Sequence, residues 1–202
     1  MAVPNKFKTL LVALWIVLFL GDASHAQNGV LGEVRFVGPS KVEKTSGVWI
    51  DGQYVGYLGE LKDDKKMLLL PGEHVIAVRQ SGYMDFIRNV VVEPNKRLTL
   101  TVKMERDLRV QFPNVTSEVK LQVTPDRAAV FLDGGFVGNV HEFTGVGRAM
   151  LVSPGKHRIK IALPGYQTFE TEITLLPKQK FKIETELAKG SITQADPLMR
   201  KE

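Results

Sequence analysis

The chain of 202 residues contains no cysteine. Disulfide bonds, thiol nucleophiles and cysteine-ligated metals are therefore excluded, and the fold must be stabilised by its apolar cores. The sequence also lacks a glycine-rich phosphate loop, a G-x-S-x-G motif and a Ser-His-Asp arrangement. We therefore expect a protein that is not an enzyme, with no catalytic residues and no cofactor.

Long apolar runs are scarce as well, and one stands out at 9–21 (TLLVALWIVLFLG). It holds about a dozen residues, which is short for a membrane span. Two lysines precede it, and Ser24 and Ala26 supply the small residues that a signal peptidase reads. We predict an N-terminal signal helix within a signal peptide at 1–26 and export to the periplasm or cell surface. An uncleaved anchor is the alternative.

A strong excess of one charge is also missing. The formal net charge is +5, and removal of the signal peptide would leave +4 because two lysines and one aspartate leave with it. Acidic residues are interleaved with the basic ones throughout, unlike the dense basic stripe of a nucleic-acid-binding protein. We therefore expect no nucleic-acid partner.

The sequence does contain an internal repeat. VWIDGQYVG at 48–56 returns 82 residues later as VFLDGGFVG at 130–138, and PGEHVIAV at 71–78 returns 83 residues later as PGKHRIKI at 154–161. One extra residue in the second copy accounts for the change in spacing. Several matches in the same order indicate the duplication of one unit.

Within each unit, apolar residues alternate with polar ones, as in HRIKIAL at 157–163 and KFKIETEL at 180–187. Such alternation is typical of strands with one face on a core and the other in water, and Pro-Gly and Gly-Tyr pairs separate the runs. No helix is predicted after the signal. The sequence predicts an all-β fold, with two tandem small antiparallel β-sandwich domains of about six or seven strands each.

The repeat also sets the expected domain boundaries. We place the first sandwich at 27–106, a linker at 107–117, the second sandwich at 118–188 and a flexible tail at 189–202. Because the linker is short, the two modules are expected to sit close together. The first copy carries about four extra residues in PSKVEKTSG at 39–47, which we interpret as a loop.

Asp-Gly between two apolar runs predicts a two-residue hairpin turn with positive φ at both residues. Counting outwards from the turn pairs the residues of each copy as follows: Trp49 with Tyr54, Val48 with Val55, Phe131 with Phe136, and Val130 with Val137. Both faces of each hairpin are therefore apolar. One must look into a core, and the other must be covered by its own loops or the neighbouring module, or stay exposed.

Two interpretations of the aromatic pairs remain open. Trp49, Tyr54, Phe131 and Phe136 are candidate ligand- or partner-binding residues, because aromatic faces on a sheet can stack on sugar rings. The alternative is that they are packing residues, since functional interpretations of short motifs often fail. An exposed Trp49 would favour binding, whereas a Trp49 buried between the modules would favour a structural role.

Two groups of basic residues are candidates for a basic surface. Lys156, Arg158 and Lys160 share the outward face of one predicted strand, and Lys180 and Lys182 that of another. If the two strands are neighbours, the combined surface would attract anionic envelope polymers or lipid head groups. The alternative is an ordinary solvated face that protects a sheet edge.

No metal site is expected. His74 and His157 are repeat equivalents just after Pro-Gly, where a histidine usually hydrogen-bonds to a loop, and His141 has only Glu142 beside it. The repeated aspartates of the Asp-Gly pairs are explained by turn geometry and do not form the carboxylate pair of a glycosidase.

A longer pattern runs through both copies: an opening tetrapeptide, an apolar strand ending in Asp-Gly, then V-G, P-G-x-H and G-Y. The second copy carries it over 124–187, with Pro125-Asp126-Arg127-Ala128 as the tetrapeptide, and the first copy carries it from Asp51-Gly52 onwards. The pattern resembles the PEGA domain family, although Arg127 stands where that family has glycine. The resemblance implies compact, non-catalytic β-sandwich modules of exported or envelope proteins of bacteria and archaea.

Together these features favour a non-catalytic envelope protein whose modules mediate protein or glycan binding. The alternative is a structural spacer or assembly subunit of the envelope. The expected partners are an envelope protein or glycan, with peripheral contact to an anionic envelope surface as a further partner. The sequence does not determine the oligomeric state.

Overall fold

The computed structural model describes residues 30–61, 67–111 and 113–190. The predicted signal peptide and most of the predicted tail lie outside the described residues. In the described part, strands dominate, and they divide into two modules with the same order of strands, although the short helix follows the first strand in one module and the third strand in the other. The prediction of an all-β fold with two tandem modules is therefore confirmed.

Each module contains seven strands and one short helix in its described part. The first module consists of β1 (Gly32–Val37), α1 (Lys41–Thr45), β2 (Gly47–Ile50), β3 (Gln53–Tyr57), β4 (Met67–Leu69), β5 (Gly72–Arg79), β6 (Phe86–Val92) and β7 (Arg97–Thr101). The second consists of β8 (Ser117–Thr124), β9 (Ala129–Leu132), β10 (Gly135–Asn139), α2 (Val140–Phe143), β11 (Met150–Val152), β12 (Gly155–Ala162), β13 (Phe169–Leu175) and β14 (Lys180–Glu186).

The strands of each module form a four-stranded and a three-stranded sheet. The four-stranded sheets have the orders β3-β2-β5-β6 and β10-β9-β12-β13, and the three-stranded sheets have the orders β4-β1-β7 and β11-β8-β14. All pairs in the four-stranded sheets are antiparallel, but β1 pairs with β7 and β8 with β14 in parallel. The prediction of purely antiparallel sandwiches is therefore wrong, because the first and last strands of each module, far apart in sequence, run in the same direction.

The alternating sequence patterns correspond to one buried and one exposed face. Strand β8 alternates strictly between buried and exposed residues along its whole length. Val34, Phe36, Ile50 and Ile76 contribute to the core of the first module. The core of the second is larger and includes Leu121 together with the inward residues of β9, β12 and β14. Each module therefore has its own apolar centre, as independent sandwiches require.

The two Asp-Gly turns have the predicted backbone. Asp51 and Gly52 have φ of 50° and 81°, and Asp133 and Gly134 have φ of 51° and 86°. The expected aromatic pairs, Trp49 with Tyr54 and Phe131 with Phe136, lie opposite each other.

The expected valine pairs across the two hairpins are wrong. Val48 pairs with Gly56 and Val130 with Gly138, because a β-bulge inserts one residue into β3 and into β10. Both glycines have positive φ, of 140° and 153° respectively. A bulge of this kind bends the strand, and pairing continues beyond it at Gly47 with Tyr57 and at Ala129 with Asn139.

The two short helices were not predicted. Helix α1 lies within the segment interpreted as a loop, where Ser40 caps it and Glu43 completes a capping box. Glu43 is buried, and its Oε1 accepts a hydrogen bond from the Met104 backbone N at 3.1 Å. A single helical turn is too short to show the apolar periodicity from which helices are recognised.

Candidate functional site

The outward face of the first hairpin is covered by the second module. Trp49 is 1% exposed and Tyr54 is 0% exposed. Phe136 of the second module packs edge-on against Trp49 with ring centroids 4.8 Å apart, and its centroid lies 6.5 Å from that of Tyr54. Trp49 and Tyr54 therefore belong to the apolar cluster of the second module and not to that of their own.

Polar side chains surround these rings and join the modules. We call the whole contact the module interface and define it by Thr45, Trp49, Tyr54, Tyr57, Glu60 and Gln80 of the first module and Arg127, Phe136, Asn139, His141 and Glu142 of the second. The Tyr54 hydroxyl donates to the Arg127 carbonyl at 2.9 Å, and Asn139 Nδ2 donates to the Thr45 carbonyl at 2.9 Å. Gln80 Nε2 donates to Glu142 at 2.9 Å.

Two ionisable groups of the interface respond to their burial. Burial and the nearby Glu60 carboxylate raise the pKa of Tyr54 well above its ordinary range, so its hydroxyl stays protonated as a donor. Burial also raises the pKa of Glu142, although hydrogen bonds from Gln80, Asn139 and Thr45 oppose the shift. Burial of the Glu142 carboxylate in the interface therefore costs free energy of desolvation.

Arg127 is the residue at which the opening tetrapeptide departs from the family pattern, and the interface explains the departure. Its Nη1 lies 3.2 Å from Glu60 Oε1, and its Nη2 donates to the Val55 carbonyl at 3.2 Å. Glycine at this position could make neither contact. Sequence reasoning missed this role, although the substitution itself was visible.

The four candidate aromatic residues do not form an open platform. Trp49, Tyr54 and Phe131 are buried, and Phe136 is partly buried. The rings of Phe131 and Phe136 are 5.9 Å apart, and Lys160 Nζ lies 6.0 Å from the centre of the Phe131 ring. A sugar ring has no access to the faces of Trp49 and Tyr54 in this arrangement. Ligand binding through the four residues stays a prediction.

The repeated aspartates connect each turn to the P-G-x-H strand of the same module. Asp51 Oδ2 lies 2.6 Å from His74 Nδ1, and Asp133 Oδ2 lies 2.7 Å from His157 Nδ1. The other carboxylate oxygen accepts a backbone hydrogen bond, from Val75 N in the first module and from Arg158 N in the second. The Asp-Gly motif and the P-G-x-H motif of each module are therefore joined by hydrogen bonds.

The second ring nitrogen of His74 faces the Leu70 carbonyl at 2.8 Å. Both nitrogens thus face acceptors, and the hydrogen bond with Asp51 followed by that with Leu70 raises the pKa of His74. Burial raises the pKa of Asp51, but hydrogen bonds from His74 and the Val75 amide outweigh it and leave that pKa lowered. The pair is a structural connection between turn and strand.

Within the described ranges, no group of three or more histidine, aspartate or glutamate side chains is placed to hold a metal ion. His141 lies 3.1 Å from Asp126 and stacks on Tyr57 of the first module, with ring centroids 5.9 Å apart and an interplanar angle of 7°. It therefore contributes to the module interface. Helices long and apolar enough to cross a membrane are also missing from the part of the chain that the structure describes.

The two groups of predicted basic residues do not form one surface. Lys156, Arg158 and Lys160 lie on β12 of the four-stranded sheet, whereas Lys180 and Lys182 lie on β14 of the three-stranded sheet. The outward faces of two packed sheets point in opposite directions, so the condition that the strands be neighbours fails. On β12 the charge is also compensated, because Lys156 pairs with Glu172 at 2.7 Å and Arg158 with Glu170 at 3.4 Å.

A basic groove does form on the three-stranded sheet, where Lys120 and Arg148, which the sequence did not single out, join the predicted Lys180 and Lys182. Lys120 lies directly opposite Lys182 in the parallel register of β8 and β14. Arg148 and Lys180 line the same groove of about 640 Å³, whose apolar surface includes Leu151 and Phe181. Glu118 and Glu184 each contact one of its lysines, at 3.7 and 2.5 Å.

The sequence model of the PEGA domain matches the chain twice, at residues 42–108 and 116–191. Because these matches cover more than half of the chain, it belongs to the PEGA domain family and carries two tandem copies. No curated protein matches the sequence.

Two solved structures share a distant likeness with the chain. The Bacillus anthracis TIE protein is 15% identical, with 79% of this chain and 34% of that chain covered and a TM-score of 0.28. GBS52, the minor pilin of Streptococcus agalactiae, is 8% identical, with 79% and 97% covered and a TM-score of 0.23. This chain therefore spans about a third of the TIE protein. Both TM-scores are too low to show that this chain shares the fold of either structure.

Proposed function

We propose that the chain is a non-catalytic structural protein of the cell envelope, in which two PEGA domains are packed into one unit of fixed geometry. The observation that supports this most directly is the complete burial of Trp49 and Tyr54 against Phe136 of the other module. Buried aromatic side chains contribute large apolar areas and stable, oriented contacts. A chain that used these rings for a ligand would leave them open to solvent.

Export to the periplasm or cell surface is part of the same proposal. It is supported by the apolar run at 9–21, by its two preceding lysines, and by Ser24 and Ala26 at the positions that a signal peptidase reads. The contacts of Arg127 with Glu60 and of Gln80 with Glu142 further support a fixed module orientation, because directional hydrogen bonds specify one arrangement of the modules.

The experiment measures the distance between the modules in solution. The absence of native cysteine allows two labels at the exposed positions Val91→Cys and Leu176→Cys, one in each module, for distance measurement between spin labels. A fixed unit gives one narrow distance distribution. The distribution broadens in the Phe136→Ala variant, because the ring that contacts Trp49 is lost.

Phe181→Ala is the matched control, since Phe181 is also a partly buried aromatic residue of the second module but lies in the other sheet. It removes a similar apolar area without touching the interface, so the distance distribution stays narrow. A broad distribution in the chain with native Phe136 would overturn the proposal.

A second candidate function, the binding of an anionic envelope polymer or surface, is favoured by the basic groove. Lysines directly opposite each other on neighbouring strands repel, and Lys120 and Lys182 share such a position, although Glu184 already pairs with Lys182. An anionic ligand would remove this repulsion. The first module does not repeat it, because Thr99 occupies the position opposite Arg35.

Binding to poly-glutamate and to vesicles containing phosphatidylglycerol tests this candidate and separates a polymer from a lipid source. The Lys120→Gln/Lys182→Gln variant is expected to bind about tenfold more weakly at low salt, and the native binding should weaken as salt screens the charges. The control Lys156→Gln/Arg158→Gln removes the same charge from the opposite face. Equal losses in both variants would contradict a role for the groove.

A further inference from the structure

The module interface is built from equivalent positions of the two copies. At the repeat spacing of 82, Thr45 corresponds to Arg127, Tyr54 to Phe136, and Glu60 to Glu142. The backbone confirms this correspondence, because Leu58 N donates to the Ser46 carbonyl and Val140 N to the Ala128 carbonyl, both at 2.9 Å. The two hairpins therefore occupy equivalent places in both modules, although Thr45 ends helix α1 and Glu142 lies in helix α2.

Across the interface, equivalent residues exchange roles. Arg127 of the second module contacts Glu60 of the first, and Thr45 of the first hydrogen-bonds to Glu142 of the second. The equivalent carbonyls of Thr45 and Arg127 each accept a hydrogen bond from the opposite module. The rings of Tyr54 and Phe136, which are equivalents of each other, meet at 6.5 Å.

A contact in which residue i meets j while j meets i is the contact of a two-fold symmetric dimer. The modules of this single chain are thus packed as two subunits of a homodimer would be. Such an interface forms equally well between modules of different chains, provided that the connection between the modules allows it.

We propose that two copies of this chain exchange modules, so that the first module of each packs on the second module of the other through the module interface. The connecting segment lies between Asp107, whose backbone N donates to the Gly82 carbonyl, and Ser117, where β8 begins. Leu108 and Val115 within this segment are 92% and 46% exposed. Re-routing the segment therefore breaks few contacts.

The interface is also of a kind that can open. Some buried polar atoms in it make no hydrogen bond within the described residues, among them Trp49 Nε1, Gln80 Oε1 and Arg127 Nε. Buried polar atoms without partners reduce the net stability of a contact. A short linker holds joined modules at an effective concentration of about millimolar, so the closed single chain dominates at micromolar concentration and the exchanged dimer forms towards millimolar concentration.

Two charge-reversed variants test the exchange directly. When the modules of one chain pack on each other, the Arg127→Glu variant places a glutamate against Glu60. The Glu60→Arg variant places an arginine against Arg127. Each variant alone therefore has like charges at its module interface. In an exchanged dimer of one copy of each, both interfaces regain opposite charges. Mixing the variants, followed by partial unfolding and refolding, is expected to give at least about tenfold more dimer than either variant alone by light scattering.

The matched control uses an ion pair inside one module. Arg97 Nε lies 2.9 Å from Glu33 Oε1, and both residues belong to the first module. A mixture of Arg97→Glu and Glu33→Arg cannot restore this pair by module exchange, so it yields no excess dimer. If the interface variants, shown to be folded by circular dichroism, also yield no excess dimer, the exchange is refuted.

If a charge-reversed variant fails to fold, the module exchange is tested on the unmodified chain. Refolding it at about 1 mM is expected to give a dimer when it is measured at that concentration, while refolding at about 10 μM gives monomer. Monomer at both concentrations would overturn the proposal. That outcome would leave the fixed packing of the modules within one chain intact, because the distance measurement between labels tests it independently.

Discussion

A single added methyl group at Gly47 tests the packing of the module interface most sharply. Gly47 is the first residue of β2 and is buried. A Cβ at this position would lie 2.8 Å from Phe136 Cζ and 2.8 Å from Trp49 Cη2. Ordinary carbon contacts are about 3.5–4.0 Å, so both rings must move by the better part of an ångström in Gly47→Ala.

The backbone itself does not resist this substitution. The second module carries Ala129 at the equivalent position, buried and in the same strand of its hairpin. The cost of Gly47→Ala therefore arises from the aromatic rings that meet there. Overpacking costs about 1–3 kcal/mol, and the reduced flexibility of the unfolded chain returns about 0.4–1 kcal/mol. A net loss of about 1–2 kcal/mol in the free energy of unfolding is expected.

Urea denaturation of Gly47→Ala measures this loss, with Gly135→Ala as the control. Gly135 is exposed, and the nearest atom to its added Cβ is the Leu132 carbonyl oxygen at 3.5 Å, an ordinary contact. The control should change stability by less than about 0.5 kcal/mol. If the two variants are equally stable, Phe136 does not pack on β2 as described and the reasoning is refuted.

Two further predictions concern the Asp-Gly turns. Because the pKa of His74 is raised, the contribution of this histidine to stability is complete below its unfolded pKa of about 6.5 and is lost as the pH rises through the folded pKa. His74→Gln should remove this part of the pH dependence of the free energy of unfolding, measured by denaturation between pH 5 and 9. An unchanged pH dependence in the variant would contradict this prediction. Asp133→Ala should cost about 1–3 kcal/mol in thermal unfolding, since it leaves the Arg158 amide and His157 without their acceptor. Asp133→Asn keeps one acceptor oxygen and is expected to cost less.

The sequence was sufficient to predict the features that depend on neighbouring residues. Asp51-Gly52 encodes its own turn because few other residue pairs tolerate positive φ at both positions. Alternation along β12 and β14 determined which residues face the core. The number of modules followed from the repeat, because equivalent sequences fold into equivalent structures.

Features that depend on distant residues could not be predicted in this way. The bulges in β3 and β10 shift the pairing by one residue, and no local signal besides the glycines marks them. The parallel pairing of the first and last strands of each module joins segments without a shared turn. The ion pair of Arg127 with Glu60 depends on how two complete modules meet. A matching substitution at both positions would be needed to infer that contact from sequence.

The divergence of the two copies makes one pairing of modules less favourable than the others. Pairing of two first modules would place Glu60 opposite Thr45 twice, so two carboxylates of the interface would lack a cation. Pairing of a first with a second module supplies Arg127 as the ion-pair partner of Glu60. Glu142 then faces Thr45, and its pKa is raised, as expected of a buried carboxylate without an ion-pair partner at that position. Because only the second copy contributes the arginine, two first modules pair least favourably. The arginine in the opening tetrapeptide thus disfavours the pairing of two first modules, but it does not select the other copy, because two second modules would place Arg127 opposite Glu142 twice.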